Sequence, residues 1–162
     1  MRILFFGSSD FAIPALTALK AADHAPELVV TKPDAARGRG RKIYDSEVKL
    51  AAAELGLPCA QPEDPHAPEF VAQLQAMQPD LGIVISYGVI LKQSLLELPK
   101  HGLINAHASL LPKYRGAAPI QRCLRDGCTE TGVTIMRIVP ELDAGDVLLV
   151  EKTPIDPKEN AG

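Results

Sequence analysis

Asn105 and His107 stand two residues apart at the end of an apolar run, and an acid, Asp143, follows in a turn after Val139. Residues two apart on an extended strand point to the same side, so this amide and imidazole can converge on one atom. A side-chain amide can donate to an oxygen on which negative charge develops. An imidazole titrates near neutrality and can take up and return a proton. A carboxylate can orient that imidazole, stabilise its cation or pass protons through a water. Each residue also has a plainer use. Asn or His at a strand end serves as a surface or capping group, and Asp143-Ala144-Gly145 reads as a turn in which Asp tolerates, and Gly supplies, unusual backbone angles. Tyr87-Gly88 is a further segment placed directly after an apolar run.

The elements that must carry these residues alternate between short β-type runs and helical segments, the pattern of an α/β domain with a mainly parallel sheet and helices on both faces. Ile3 to Phe6 is an unbroken apolar strand, as expected in a sheet covered on both sides. Gly7-Ser8-Ser9-Asp10 ends it, and Ser9 or Asp10 is a fitting N-cap for a helix whose Phe11, Ala15, Ala18 and Leu19 recur at helical spacing. Strands are expected over Leu28 to Thr31, near Cys59 and Gln61, over Leu81 to Ile85 and over Leu103 to Ala106. Helices are expected over Ser46 to Leu55, Pro68 to Met77 and around Leu91 to Leu98. Pro33 opens a Gly- and Arg-rich loop lasting to about Tyr44. Ala117 to Arg125 reads as a helix with Pro119 in its first turn, where a missing N–H costs nothing. Thr131 to Val139 alternates like a strand, Val147 to Val150 starts another, and the polar residues from Asp156 onward resemble a helix start. In such sheets ligands bind outside the carboxyl ends of the strands, which is where the polar residues above fall.

Bulk properties narrow the classes. The 162 residues are 46% hydrophobic and 23% charged, as in one ordinary globular domain. No apolar run approaches the roughly 20 residues that span a bilayer, and the opening apolar run is too brief for a signal peptide. The expectation is a cytoplasmic protein with no membrane partner. Cys59, Cys123 and Cys128 contain no CxxC pair and read as reduced thiols, so no metal is expected. The net charge of −3 argues against general nucleic-acid binding by this chain. Locally the balance reverses: Lys32, Arg37, Arg39, Arg41, Lys42 and Lys49 face only Asp34, Asp45 and Glu47. No GxGxxG fingerprint is present, so a dinucleotide is not indicated.

Taken together the segments are more specific than any one of them. Asn105-Ala106-His107-Ala108-Ser109-Leu110-Leu111-Pro112-Lys113-Tyr114-Arg115-Gly116-Ala117-Ala118-Pro119-Ile120-Gln121, followed by Leu142-Asp143-Ala144-Gly145-Asp146, resembles the signature of the folate-dependent formyltransferases. The resemblance runs from Arg2 to about Ile155. It implies a Rossmann-like catalytic domain over residues 1–162, with the C-terminal β-barrel domain of the tRNA-directed members absent from the chain. It also implies transfer of a formyl group from 10-formyltetrahydrofolate to an amine through a tetrahedral intermediate. Asn105, His107 and Asp143 would be the catalytic residues. Tyr87, Gly88, Leu142 and the Ser109-Leu110-Leu111-Pro112 turn would bind the folate, although Leu110 and Leu111 read equally well as core and Ser109 as a loop brace.

Within the family, Arg115 to Gln121 and the run Lys32-Pro33-Asp34 with Gly38-Arg39-Gly40-Arg41-Lys42 look like the members acting on charged initiator tRNA. That likeness assigns Arg39, Arg41 and Lys42 to tRNA binding, in a protein expected to be monomeric. Gly7-Ser8-Ser9 departs from the Gly-Thr-Pro usual in those members. Two alternatives remain: a formyltransferase for a sugar-nucleotide or other small amine, and a folate-binding module without catalysis.

Overall fold

The computed structural model describes residues 1–37 and 42–161. The chain divides into two compact units, Met1–Leu103 and Ile104–Gly162. The fold is α/β and Rossmann-like.

In the first unit β1 (Ile3–Gly7) is central and every one of its residues is buried, as its uninterrupted apolar sequence requires. It pairs in parallel with β2 (Leu28–Val30) on one side and β6 (Leu81–Ile85) on the other, and β2 pairs in parallel with β5 (Cys59–Ala60). The order is therefore β5-β2-β1-β6. The chain moves outward from β1 to β5 and then returns across β1 to β6. Helices α1 (Ile13–Ala21) and α2 (Glu47–Glu54) pack against each other, and with right-handed crossovers, the rule for parallel strands, α3 (Pro68–Ala76) belongs on the opposite face. The fully buried Leu4, Phe5, Phe6, Leu16, Val29, Val30, Val48 and Leu74 form this core, each contributing roughly 1.5–3 kcal/mol relative to exposure.

The carboxyl ends of β1 and β6, where the strand order reverses, are tied by hydroxyls. Ser9 Oγ donates to Ser86 Oγ at 2.8 Å, and Ser8 Oγ accepts from the Lys32 amide at 3.2 Å. Ser9 thus spends its side chain on Ser86 and makes no side-chain cap; a short 3-10 turn over Asp10–Ala12 leads into α1 instead. The buried face of that segment is Ala12 and Leu16, while Phe11 is 36% exposed. This corrects the expected face by one position, because the 3-10 turn advances the chain faster per residue than an α-helix does.

The Arg-rich segment expected to be a loop contains a two-stranded antiparallel ribbon, β3 (Ala35–Arg37) with β4 (Lys42–Tyr44). Its base is pinned by Asp34. Oδ1 accepts from the Ser46 amide at 3.2 Å and from Gln61 Nε2 at 2.7 Å, and Oδ2 accepts from Lys49 Nζ at 2.5 Å. The short α4 (Gln93–Leu96) closes the unit.

The second unit is an antiparallel meander of β7 (Leu103–His107), β8 (Glu130–Arg137) and β9 (Val147–Pro154), with α5 (Pro119–Arg125) between β7 and β8. On β8, Gly132, Thr134 and Met136 are buried in strict alternation, the period-2 pattern of a strand with one covered face. The pairing of β8 with β9 slips between Ile135 and Met136, which face Leu149 and Val147, so Leu148 is an extra residue. Val147 to Val150 are exposed. Residues after Ile155 form a turn, with the Glu159 amide donating to the Asp156 carbonyl at 2.9 Å, where a helix start was expected.

Among the described residues no helix is long and apolar enough to cross a membrane. None of the described His, Cys, Asp and Glu residues form a group of three or more that could hold a metal.

Candidate active site

β7 delivers Asn105 and His107 at its carboxyl end, in register with Met136 and Thr134 of β8. The backbone then turns sharply. The Ser109 amide donates to the His107 carbonyl at 2.9 Å, and Ser109 Oγ donates to the Lys113 carbonyl at 2.7 Å. Ser109 is fully buried and braces the loop. Thr134 Oγ1 donates to the Ser109 carbonyl at 2.7 Å and accepts from the Leu111 amide at 3.2 Å, fastening the loop to β8. A side chain at Gly132 would collide with the Glu151 carbonyl and meet Leu110 Cδ2 at 2.7 Å, so Leu110 packs over a strand position that only glycine fills.

The loop brings the acid to the histidine. His107 Nδ1 lies 3.6 Å from Asp143 Oδ2, with side-chain exposures of only 8% and 11%, so solvent and salt screen their attraction weakly. Asp143 Oδ2 also accepts the Gly116 amide at 2.8 Å. The other ring nitrogen, Nε2, lies 3.0 Å from the Tyr114 carbonyl oxygen. A carbonyl only accepts, so this contact places a proton on Nε2 and leaves Nδ1 of the neutral ring unprotonated, facing Asp143. The Asn105 side chain is half-buried and makes no hydrogen bond among the described residues, so its amide is available as a donor.

Local backbone geometry explains several residue types. Asp143 has φ 47° and Gly116 has φ 82°, left-handed conformations that Asp tolerates and Gly adopts freely. A Cβ at Gly145 would strike the Arg137 carbonyl, so the turn carrying Asp143 can close only with glycine there. Tyr114 and Ala118 also have positive φ, 59° and 53°, without the excuse of being glycine. For Ala118 the following Pro119 disfavours the right-handed helical region. Such strain, about 1–3 kcal/mol per residue, persists where surrounding contacts over-determine the backbone.

The remaining expected residues fall into three groups. Leu142 is 68% exposed and lies close to Gly116; Leu111 is half-buried and Pro112 exposed. Tyr87 is buried, its ring edge-on to Phe6 at 5.5 Å between centroids, and burial pushes its phenol up to about 12. Its ring is core, and the backbone on either side of it, at Ser86 and Gly88, has positive φ. Arg39 and Arg41 lie outside the described residues, and Lys42 begins β4. Sequence reasoning did not single out Tyr114, Gly116 or Thr134. The first two act through backbone atoms, which carry no residue signature, and Thr134 looks like any strand threonine.

Residues 1–162 match the sequence model of the Formyl transferase family over their whole length, and the chain belongs to that family. It is 50% identical over 162 residues to a methionyl-tRNA formyltransferase of Moorella thermoacetica, covering 100% of this chain and 52% of that protein. It is 53% identical over 148 residues to the methionyl-tRNA formyltransferase of Methylococcus capsulatus, covering 91% of this chain and 48% of the relative. The chain thus spans about half the length of the curated relatives it matches. Among solved structures, a phosphoribosylglycinamide formyltransferase from Bacillus halodurans aligns with TM-score 0.79 at 22% identity, covering 99% of this chain and 83% of that one. That likeness shows the fold.

Proposed function

We propose that this chain is the catalytic half of a cytoplasmic enzyme that transfers a formyl group from 10-formyltetrahydrofolate to the α-amino group of methionyl initiator tRNA. The observation that carries the reading is the buried His107–Asp143 pair beside the available amide of Asn105, in a chain of the formyl transferase family.

The amine nitrogen attacks the formyl carbon and forms a new C–N bond. Negative charge appears on the formyl oxygen, where the Asn105 amide donates. His107 takes the proton lost by the amine at Nδ1, where the Asp143 carboxylate stabilises the resulting cation. Collapse of the tetrahedral intermediate breaks the bond to the folate nitrogen, which receives the proton from His107. None of these steps uses a metal. The exposed Leu142 and the half-buried Leu110 and Leu111 supply apolar walls for a flat heterocycle. Arg39, Arg41 and Lys42 contact the phosphates of the tRNA acceptor end.

Calorimetric titration with a non-transferable analogue of 10-formyltetrahydrofolate, followed by turnover assays with charged initiator tRNA, tests the reading. Asn105→Ala and His107→Ala are expected each to retain analogue binding and to lose about 100-fold or more in turnover. Near-normal rates in both variants would remove the mechanism. Analogue binding without turnover on any acceptor would leave a folate-binding module.

A further inference from the structure

The peptide unit joining Arg115 to Gly116 is held at both of its polar ends. Its carbonyl oxygen accepts from Arg122 Nη2 at 2.6 Å, and its N–H donates to Asp143 Oδ2 at 2.8 Å. A peptide unit is planar, so its C=O and N–H turn together and fixing one aims the other. A cation on the carbonyl oxygen also polarises the amide and strengthens the N–H as a donor.

The same guanidinium lies over the Tyr114 ring, 5.7 Å from its centroid, a cation–π arrangement. Tyr114 is the residue whose carbonyl holds His107 Nε2, and its hydroxyl lies 3.1 Å from Cys128 Sγ. Arg122 therefore grips Tyr114, whose carbonyl holds His107, and the carbonyl end of the peptide unit whose N–H holds Asp143. It does so while its Nε is buried without an acceptor among the described residues. A guanidinium placed only to satisfy its own donors would not leave one unmet. The segment it grips also carries strain, with positive φ at the non-glycine residues Tyr114 and Ala118, and needs outside contacts to persist.

We infer that Arg122 is a positioning residue for the His107–Asp143 pair, clamping the 114–116 backbone through the Arg115 carbonyl and the Tyr114 ring. Arg122 sits on α5 and acts through the loop, without contact to the reacting groups. The inference rests on the roles proposed above for His107 and Asp143.

Nitrogen NMR of the histidine rings in the full chain tests it, with the His107 signals assigned by their loss in His107→Gln. In the wild type the neutral ring carries its proton on Nε2. In Arg122→Gln the two tautomers are expected to mix. In Arg122→Lys, which keeps a charge and a donor but not the planar fork, the balance lies between. In turnover assays Arg122→Gln is expected to lower kcat by roughly 10- to 100-fold, as small misplacements of catalytic groups do, with affinity for the folate analogue unchanged within about twofold.

Unaltered His107 signals in a folded Arg122→Gln variant would overturn the proposal. If that variant does not melt cooperatively, Arg122→Lys decides: mixed tautomers support the clamp, and a wild-type pattern overturns it. Tautomer mixing together with no turnover in the wild type would instead sink the transferase reading and leave the clamp standing.

Discussion

Thr134 spends one hydroxyl twice, donating to the Ser109 carbonyl and accepting from the Leu111 amide, and it is fully buried. Thr134→Val keeps the shape and removes both bonds, leaving two loop groups without their partner. Denaturant unfolding is expected to show a loss of about 1–3 kcal/mol; an unchanged midpoint would mean that the loop is held elsewhere. At this scale candidates for chemistry were legible in the sequence wherever the group offered is a side chain. Asn105 and His107 declare themselves by type and by a spacing that shares a strand face. Asp143 was legible as a candidate, but its approach to His107 depends on how Gly145 lets its turn close against Arg137. Tyr114 and Gly116 were illegible as site residues, because the carbonyl and amide they contribute are common to nearly all residues.

Asp34 shows how one side chain can organise an element. It gathers the Ser46 amide at the start of α2, Lys49 within α2 and Gln61 beyond β5, immediately before β3 begins. The Lys49 ammonium, and after it the Gln61 amide, hold its carboxyl down at about 2, while Asp34 and Asp45 hold the Lys49 ammonium above its ordinary range. A depressed carboxyl pKa adds stability that is fully present above the unfolded value of about 3.9 and is lost as pH falls through the folded one. The melting temperature of the wild type should therefore fall more steeply than that of Asp34→Asn between about pH 4 and pH 2, the gap between them closing at the acid end. Parallel curves would show that the carboxylate does no such anchoring. The β3–β4 ribbon escaped sequence reasoning because its strands are three residues each, too short for alternation to register. The face of α1 was misread for a different reason: the 3-10 turn before it changes the phase of the periodicity.

Across the whole molecule, the alternation of apolar runs and helical segments was enough to fix the α/β class, since nearly every run became a strand near its expected position. Strand order was not legible, because a buried parallel strand such as β1 or β6 carries no mark of its neighbours. Charge works at this scale too. With a net charge of −3, this chain is expected to bind tRNA weakly, and what binding there is should draw on the basic segment. Deleting Gly38 to Lys42 should flatten the plot of log affinity against log salt by roughly 2–3 units if Arg39, Arg41 and Lys42 each neutralise a phosphate. An unchanged slope and unchanged transfer would favour a small amine as the acceptor. The extra residue at Leu148 falls next to the Met136–Val147 pair, Met136 being itself the partner of Asn105, and the Arg137 amide donates to the Asp146 carbonyl just beyond it. The reach of the Asp143 turn is thus counted out in residues along two paired strands. In such a ruler a change of length in 138–148 displaces Asp143, whereas a change of letter at positions other than Asp143 and Gly145 leaves its reach intact.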